Sequence, residues 1–260
     1  MLRSLYSGVT GMKNFQTKLD VIGNNIANVN TYGFKKGRTT FSDLISQTTA
    51  GATGPSDTTG GTNAKQIGLG SQVSSIDTIA TQGSMQTTGR TLDLAISGEG
   101  YFVLQDSAGT PSYTRAGNFY LNNAGQIVTS NGLYLVGAET IPTDAQSFSV
   151  GNDGSITYID TEGNTQPAGQ IQMARFANPE GLTKTGSNTF QVSANSGPAT
   201  LTVAGEDGTG SINSGYLEMS NVDLTDEFTE MIVGQRGFQS NSKIITTSDE
   251  ILQELLNLKR

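Results

Sequence analysis

Residues 2–29, LRSLYSGVTGMKNFQTKLDVIGNNIANV, decide the fold that this sequence predicts. One column at seven-residue spacing is apolar throughout and consists of Leu5, Met12, Leu19 and Ile26. Val9 stands in a second column, and Ile22 widens the apolar stripe. Apolar residues three and four apart line one face of a helix, and a sevenfold repeat keeps that face toward a partner helix. The stretch therefore predicts an N-terminal helix with an apolar seam.

The same spacing returns at the other end of the chain, which predicts the partner helix. Its apolar column consists of Leu224, Met231, Phe238, Ile245 and Leu252. Phe228 heads the companion column. Asp223 is the expected N-cap, because its side chain can accept a hydrogen bond from a free backbone N–H of the first turn. Lys259 and Arg260 stand where cations suit the negative end of a helix.

Both predicted helices contain glycines that weaken an isolated helix. They are Gly8, Gly11, Gly23, Gly234 and Gly237. Each costs about 1 kcal/mol relative to alanine within a helix. We therefore expect the helices to be loosely ordered in the isolated subunit and to pair as a coiled coil on assembly.

The middle of the chain has a different sequence pattern, in which short apolar runs alternate with turn residues. Apolar residues make up 34% of the chain and glycine occurs 33 times. Leu92, Leu94 and Ile96 alternate with Asp93, Ala95 and Ser97, which predicts a strand. Further short strands are predicted at 112–115, 119–121, 126–129, 134–136, 155–159, 171–176, 189–192 and 200–203. Short strands at regular spacing predict an antiparallel β-sandwich or barrel-like domain.

These patterns divide the chain into three parts. Residues 1–33 and 221–260 form the predicted helical coiled-coil domain, and residues 67–220 form the β-rich domain. Residues 34–66 are an extended connector rich in Gly and Thr. Gly33 is the expected stop of the first helix, since glycine readily adopts the left-handed conformation that ends helices.

Composition argues against several classes of function. The chain has no Cys and no His, so it lacks thiolate chemistry and the commonest general base and metal ligand. We expect no enzyme, no cofactor and no metal site; Asp93 and Glu99 are too weak a signal for a catalytic carboxylate pair. The chain has a total charge of −8. Residues 1–40 contain six basic residues and one acidic residue and so carry +5, which means that the remaining residues together carry −13. An acidic body argues against nucleic acid as partner.

Basic residues 35–38 are predicted to lie in a solvated loop rather than at a phosphate site. No stretch approaches 18 apolar residues, so we expect no membrane insertion. The first residues, MLRSLYSGVTGMKN, lack the apolar run and small-residue site of a cleaved secretory signal. We therefore expect any export to use another route.

The sequence resembles the bacterial flagellar hook and rod proteins in three places. The most specific is the run Asn24, Asn25, Ile26, Ala27, Asn28, followed by Gly33, Phe34 and Lys35. The middle stretch GEGYFVLQDSAGTPSYTRAGNFYLNNAGQIVTSNGLYLVG is similar to the β-domain core of that family. The C-terminal stretch, which includes Gln235 and Arg236, is similar to the family's last helix.

Within the family, the sequences of both ends are closer to those of the hook protein, whereas the length of the chain is that of the distal rod protein. The resemblance therefore predicts a hook subunit that forms a flexible helical tube, with the distal rod protein as the alternative. It implies helices inside the tube, β-domains outside, and amide hydrogen bonds between helices from the Asn-rich residues 24–30. A secreted carbohydrate-binding module is a weaker alternative, because Trp platforms are absent.

The resemblance also implies the partners and the location. The partners are further copies of the chain, flagellar rod and hook–filament junction proteins, and the hook cap and export apparatus during assembly. The location is the extracellular flagellum, reached by type III export without signal cleavage.

Overall fold

A computed structural model describes residues 2–55 and 60–258 of the chain, apart from the side chain of Leu2. The expectation for Lys259 and Arg260, and the part of the predicted connector at 56–59, lie outside the described residues.

Two long helices stand at the two ends of the chain, as predicted. Helix α1 spans Leu2–Ala27 and helix α2 spans Leu224–Asn257. Asp223 is the N-cap of α2, and its carboxylate accepts a hydrogen bond from the backbone N–H of Thr225 at 2.8 Å. The N-cap prediction is therefore confirmed.

In the described part of the chain between the helices lie twenty short strands. They are β1 Gly37–Asp43, β2 Ser46–Ala50, β3 Lys65–Gly68, β4 Ser71–Thr78, β5 Met85–Thr87, β6 Leu94–Ser97, β7 Tyr101–Gln105, β8 Pro111–Thr114, β9 Tyr120–Leu121, β10 Ile127–Val128, β11 Tyr134–Leu135, β12 Ser147–Val150, β13 Ser155–Ile159, β14 Thr165–Gln170, β15 Gln172–Arg175, β16 Thr183–Gly186, β17 Thr189–Gln191, β18 Thr200–Val203, β19 Ser211–Ser214 and β20 Tyr216–Glu218.

The largest sheet has nine strands, and its main path runs β16-β17-β8-β7-β11-β10-β9. Strand β15 pairs with both β7 and β18. A second sheet has the order β12-β13-β14, and β1-β4, β2-β3, β6-β19 and β5-β20 form two-stranded pairs. Pairing within the two larger sheets is antiparallel. This confirms the predicted fold class, a mainly antiparallel β middle flanked by terminal helices.

Strand β7 lies at the centre of the core because both of its faces are buried. Phe102 and Leu104 point into the larger apolar cluster, while Tyr101 and Val103 point into a second one. In the larger cluster, the Phe102 ring lies edge-on to Phe119 with 5.2 Å between centroids. Alternate residues of one strand thus join two cores.

The strand predicted around residues 92–97 is present as β6, and residues 92–96 are buried on both faces, whereas Ser97 is exposed. Ala95 is fully buried alongside Leu94 and Ile96. Asp93 is also buried, and its carboxylate accepts a hydrogen bond from Arg90 at 3.1 Å. A small residue and a paired carboxylate can thus face a core as well as an apolar side chain can.

The chain divides into two compact units, each built from separate stretches of sequence. The helical unit contains residues 1–26, 37–77 and 223–260, and the β unit contains residues 27–36 and 78–222. Much of the predicted connector, residues 34–66, is strand: β1 pairs with β4, and β2 pairs with β3. Pairing therefore places these strands with the helices, while the stretch directly after α1 belongs to the β unit.

Candidate assembly interface

Within the helical unit, α1 and α2 pack against each other in antiparallel fashion. Gly8 faces Ile245, and a Cβ atom at Gly8 would lie 3.2 Å from the Ile245 side chain. Further along, a Cβ atom at Gly234 would lie 3.1 Å from Leu19. Glycine leaves room for the facing side chain, so the two backbones can approach closely.

The closest approach is at Gly237, which faces the ring of Phe15. A Cβ atom there would lie 2.6 Å from the ring, a distance that requires the ring to move. Gly11 faces the Asn241 side chain in the same way, at 2.9 Å. Four of the five glycines that weaken the isolated helices therefore form the contact between them; Gly23 is the exception, with nothing near it.

Polar side chains align the two helices where α1 ends and α2 begins. The amide nitrogen of the buried Asn25 donates to a Glu227 carboxylate oxygen at 3.1 Å. The same amide group also bonds both the N–H and the C=O of Gly37 at 2.9 Å. Lys18 and Glu230 form an ion pair one to two turns away. Asn25 thus makes the kind of interhelical amide bond that the family resemblance implies.

The seam between the helices combines predicted apolar residues with glycines. The buried residues of α1 are Gly8, Gly11, Asn14, Ile22 and Asn25, and those of α2 are Glu227, Gly234 and Ser248. Ile22 is the predicted seam residue among them. Other predicted seam residues are half-buried, namely Leu5, Met12, Leu19, Ile26, Met231, Ile245 and Leu252. Of these, Leu19 and Ile245 pack directly against glycines of the facing helix.

Several predicted seam residues lie on the surface of the unit. Val9 and Phe228 are each 50% exposed, and Leu224 and Phe238 are also exposed. Other exposed apolar residues of α2 are Ile232, Val233, Ile244, Ile251, Leu255, Leu256 and Leu258. Such a concentration of exposed apolar side chains marks an interaction surface.

The two stretches that connect with the helices are joined to each other inside the β unit. We call residues 31–36 the N-terminal root and residues 217–222 the C-terminal root. The N–H of Gly33 donates to the C=O of Glu218 at 2.8 Å. The N–H of Lys36 donates to the Asn221 side chain, also at 2.8 Å. The roots are thus bonded along their length.

Gly33 has a backbone φ angle of +67°, which lies in the left-handed region expected from its sequence position. However, α1 ends at Ala27, so the prediction that Gly33 ends this helix is wrong. A Cβ atom at Gly33 would lie 2.6 Å from backbone atoms of Arg115 and Ala116. Glycine is required at this position by its backbone conformation and by the neighbouring backbone of Arg115 and Ala116, which follows β8.

Lys35, Arg115 and Glu218 form a buried ion cluster beside the roots. The Lys35 Nζ lies 2.6 Å from one Glu218 oxygen, and the Arg115 Nη1 lies 3.3 Å from the other. The residues are 1%, 4% and 1% exposed, respectively. The prediction of a solvated loop at 35–38 is therefore wrong for Lys35, while Arg38 is exposed.

Burial perturbs the acid–base properties around the cluster. Burial lowers the pKa of the Lys35 ammonium; Glu218 opposes this shift and Arg115 adds to it. Burial likewise raises the pKa of the Tyr101 hydroxyl, whose ring lies 5.4 Å from the Arg115 guanidinium carbon. Two cations here share one carboxylate, so the cluster carries excess positive charge when Lys35 is protonated.

The remaining motif residues are dispersed. Asn24 and Ala27 are exposed on α1, and Gln235 and Arg236 are exposed on α2. Asn28 and Phe34 are half-buried in the β unit. No local pattern identifies Arg115 and Glu218 as partners of Lys35, because they lie 80 and 183 residues further along the chain.

Within residues 2–55 and 60–258, no cluster of three or more acidic residues suits a metal ion. No helix in this described part is long and apolar enough to cross a membrane.

Three stretches of the chain match flagellar protein families. Residues 5–35 match the family described as flagella basal body rod protein. Residues 95–158 match the flagellar hook protein FlgE/F/G D1 domain, and residues 213–258 match the flagellar basal body rod FlgEFG protein C-terminal family.

Individual relatives cover the whole chain. A flagellar basal-body rod protein of Bacillus subtilis is 64% identical over 265 residues, covering 100% of both chains. Its counterpart in Caulobacter vibrioides is 41% identical over 262 residues, covering 99% of this chain and 100% of the relative. A flagellar hook protein of Borreliella burgdorferi is 31% identical over an alignment of 442 residues, covering 100% of both. With its paired terminal helices and antiparallel β middle, the chain belongs to the family of flagellar hook and basal-body rod proteins.

Proposed function

We propose that this chain is a structural subunit of the distal flagellar rod, which polymerises into a straight helical tube and transmits torque as a stiff shaft. The full-length match to rod proteins carries this proposal. The Bacillus subtilis rod protein aligns over 265 residues with a chain of 260, so the two differ little in length. Hook relatives need alignments of 442 and 464 residues, and thus contain long regions without a counterpart here. These lengths favour the rod alternative over the hook subunit that the sequences of the two ends suggested.

The exposed apolar residues of the helical unit supply the contacts between subunits. Val9 on α1 and Phe228, Ile244 and Ile251 on α2 are exposed in the single chain. Burying each large apolar side chain contributes about 1.5–3 kcal/mol. A contact between two different surfaces that repeats without closing produces an open helical polymer. In this proposal, the helices form the inner layer of the tube and pair as a coiled coil with those of neighbouring copies.

The partners follow from this role. They are further copies of the chain, adjoining rod and hook proteins of the flagellum, and the export apparatus during assembly. The role is structural, with the protein placed in the flagellum outside the cell membrane, and it requires neither catalysis nor a cofactor.

Electron microscopy of polymer formed from the purified full-length chain tests the proposal. Straight tubes of constant diameter support a rod subunit. Curved or supercoiled tubes would support the hook alternative instead. Absence of any polymer, under conditions where the Bacillus subtilis relative forms one, would contradict self-assembly.

A further inference from the structure

The buried ion cluster joins three distant pieces of the chain. Lys35 belongs to the N-terminal root, Glu218 ends β20, and Arg115 follows β8. The Lys35 Nζ also donates to the C=O of Thr81 at 2.8 Å, and a Glu218 oxygen accepts from the N–H of Gly83 at 2.9 Å. Taking charges out of water costs free energy, and apolar residues of similar volume often stabilise such a site equally well. Stability alone therefore does not explain three charges here.

The hydrogen bonds of the roots have little sequence specificity of their own. In the bonds of Gly33 and Lys36, the donor is a backbone N–H group. The N–H of Ile79 likewise donates to the C=O of Lys36 at 2.9 Å. Almost any residue can supply a backbone N–H, so these bonds alone would permit a shifted alignment. A shift by one residue would place Phe34 or Lys36 where Lys35 now meets Glu218.

The hairpin of β16 and β17 covers the same root with further polar contacts. The Asn188 side chain donates to the C=O of Tyr32, and the Lys184 Nζ donates to the C=O of Lys35, both at 3.0 Å. Lys184 also lies 5.0 Å above the ring of Phe34. Because both donors again bind main-chain oxygens, they add no register of their own. Two residues distinguish the observed alignment from a shifted one: Gly33, whose left-handed conformation favours glycine, and Lys35, whose ammonium meets Glu218.

We propose that the buried ion cluster is an alignment lock, which holds the N-terminal root in one register against the C-terminal root. In the observed register, the Lys35 ammonium meets the Glu218 carboxylate. A shift that brings Phe34 to this place would bury Glu218 and Arg115 beside an apolar ring. A shift that brings Lys36 there would keep an ammonium beside Glu218 but would put Phe34 at the left-handed position of Gly33, where a Cβ atom meets backbone atoms at 2.6 Å. Because Glu218 is required, the lock closes only when the chain through β20 is present.

The lock deepens the proposed function. Its consequence for assembly rests on that function, whereas the lock itself does not. A subunit whose roots have one register connects its helices to the β unit through segments of fixed length. Copies with mixed registers would differ in those lengths, and a regular tube requires identical subunits.

Amide hydrogen exchange on full-length Lys35→Met tests the lock. This variant keeps the balanced Glu218–Arg115 pair and a side chain of similar length. The matched control is Glu99→Gln, which breaks the exposed Arg175–Glu99 pair of 3.5 Å in the same unit. The readouts are the Gly33 and Lys36 amides of the root and, as an internal reference, the Val136 amide, which donates to Val103 in the core at 3.0 Å.

We expect exchange at Gly33 and Lys36 to accelerate at least about tenfold in Lys35→Met while Val136 is unchanged, because opening of the root is local. Equal acceleration at all three amides, or none, would overturn the lock. The triple variant Lys35→Met, Arg115→Met, Glu218→Met serves if the single variant is unfolded, with the same expectation. Failure of both to fold would also overturn it, since the cluster would then be needed for folding itself.

Polymer formation separates this proposal from the proposed function. If wild type polymerises and Lys35→Met polymerises less regularly with fast root exchange, both proposals stand. If wild type does not polymerise but root exchange responds as expected, only the proposed function fails. If Lys35→Met forms regular tubes with slow root exchange, only the lock fails.

Discussion

Glu218 is the single residue on which most of the buried charge in the β unit depends. It is the only carboxylate that bonds Lys35 and Arg115 among the described residues. Glu218→Gln removes the negative charge and leaves two buried cations facing a neutral amide. Breaking a buried pair in this way costs about 3–5 kcal/mol.

Urea unfolding of the full-length chain measures that loss, with Glu99→Gln as the surface control. An exposed pair contributes about 0–1 kcal/mol, so the control should unfold near wild type. Equal midpoints for Glu218→Gln and Glu99→Gln would show that the buried cluster is energetically no different from a surface pair.

The lowered pKa of Lys35 gives stability a pH dependence of known sign. The folded chain releases the Lys35 proton at lower pH than the unfolded chain, whose value is 10.5. The unfolded state therefore binds more protons between the two values, and stability from this group rises with pH across that window. The difference in unfolding free energy between wild type and Lys35→Met should thus move in favour of wild type as pH approaches 10.5. A difference that is flat or falls with pH would contradict the assigned environment of Lys35.

Residues such as Lys35 mark the limit of prediction from sequence at this scale. A run of basic residues is usually solvated, and the partners that bury Lys35 are remote in sequence. The left-handed conformation of Gly33 was predicted, but the close approach that requires glycine there was not, because the approaching backbone of Arg115 and Ala116 lies about 80 residues further along the chain. By contrast, Asp223 as N-cap was predictable, since a cap depends only on its immediate neighbours.

At the scale of elements, the glycine contacts between α1 and α2 predict opposite effects for two similar substitutions. Gly237→Ala places a methyl group 2.6 Å from the Phe15 ring and should lower stability by forcing the ring aside. Gly23→Ala meets nothing within 4 Å and should raise stability by up to about 1 kcal/mol through helix propensity. Thermal unfolding followed by circular dichroism at 222 nm, a helix-sensitive wavelength, compares the two. A higher midpoint for Gly237→Ala than for Gly23→Ala would refute close packing of the helices.

The seam of the helices shows why elements are easier to predict than their contacts. Heptad spacing located both helices, and turn residues located most strands of the middle. Within the seam, the predicted residues Leu19 and Ile245 pack against Gly234 and Gly8, a pairing that the spacing within one helix does not specify. A glycine between two half-buried apolar residues permits a closer contact than either of them, and its sequence signal is the same as that of a weak helix position.

At the scale of the whole molecule, the proposal that the helix pair carries assembly predicts that a charge placed in its contact abolishes the polymer. Leu19 is half-buried on α1 and faces Gly234 of α2. Leu19→Asp brings a carboxylate to that contact, where a charge without a partner is unfavourable. We expect sedimentation to show no polymer for Leu19→Asp. The control Thr157→Ser, on β13 of the β unit, should polymerise as wild type does; loss of polymer in the control alone would place the assembly contacts in the β unit.

Terminal helices, a connector and a β-rich middle were predicted at this scale, whereas the assignment of residues 27–36 and 37–77 to the two units was not. Strand pairing of β1 with β4 joins segments about 35 residues apart, and the root segment is held by residues from the far end of the β unit. Such pairings depend on tertiary contacts that local patterns do not report.

The most direct test of the central claim compares two exposed apolar residues, Phe228 on α2 and Leu201 on β18. They are 50% and 55% exposed, so neither Phe228→Asp nor Leu201→Asp should disturb the fold of the single chain. Sedimentation and electron microscopy then measure polymer formation under conditions in which wild type assembles. If the helices form the assembly layer, Phe228→Asp remains monomeric with an unchanged unfolding midpoint, and Leu201→Asp polymerises normally. Normal polymer from Phe228→Asp, together with none from Leu201→Asp, would contradict the claim that the helices build the tube.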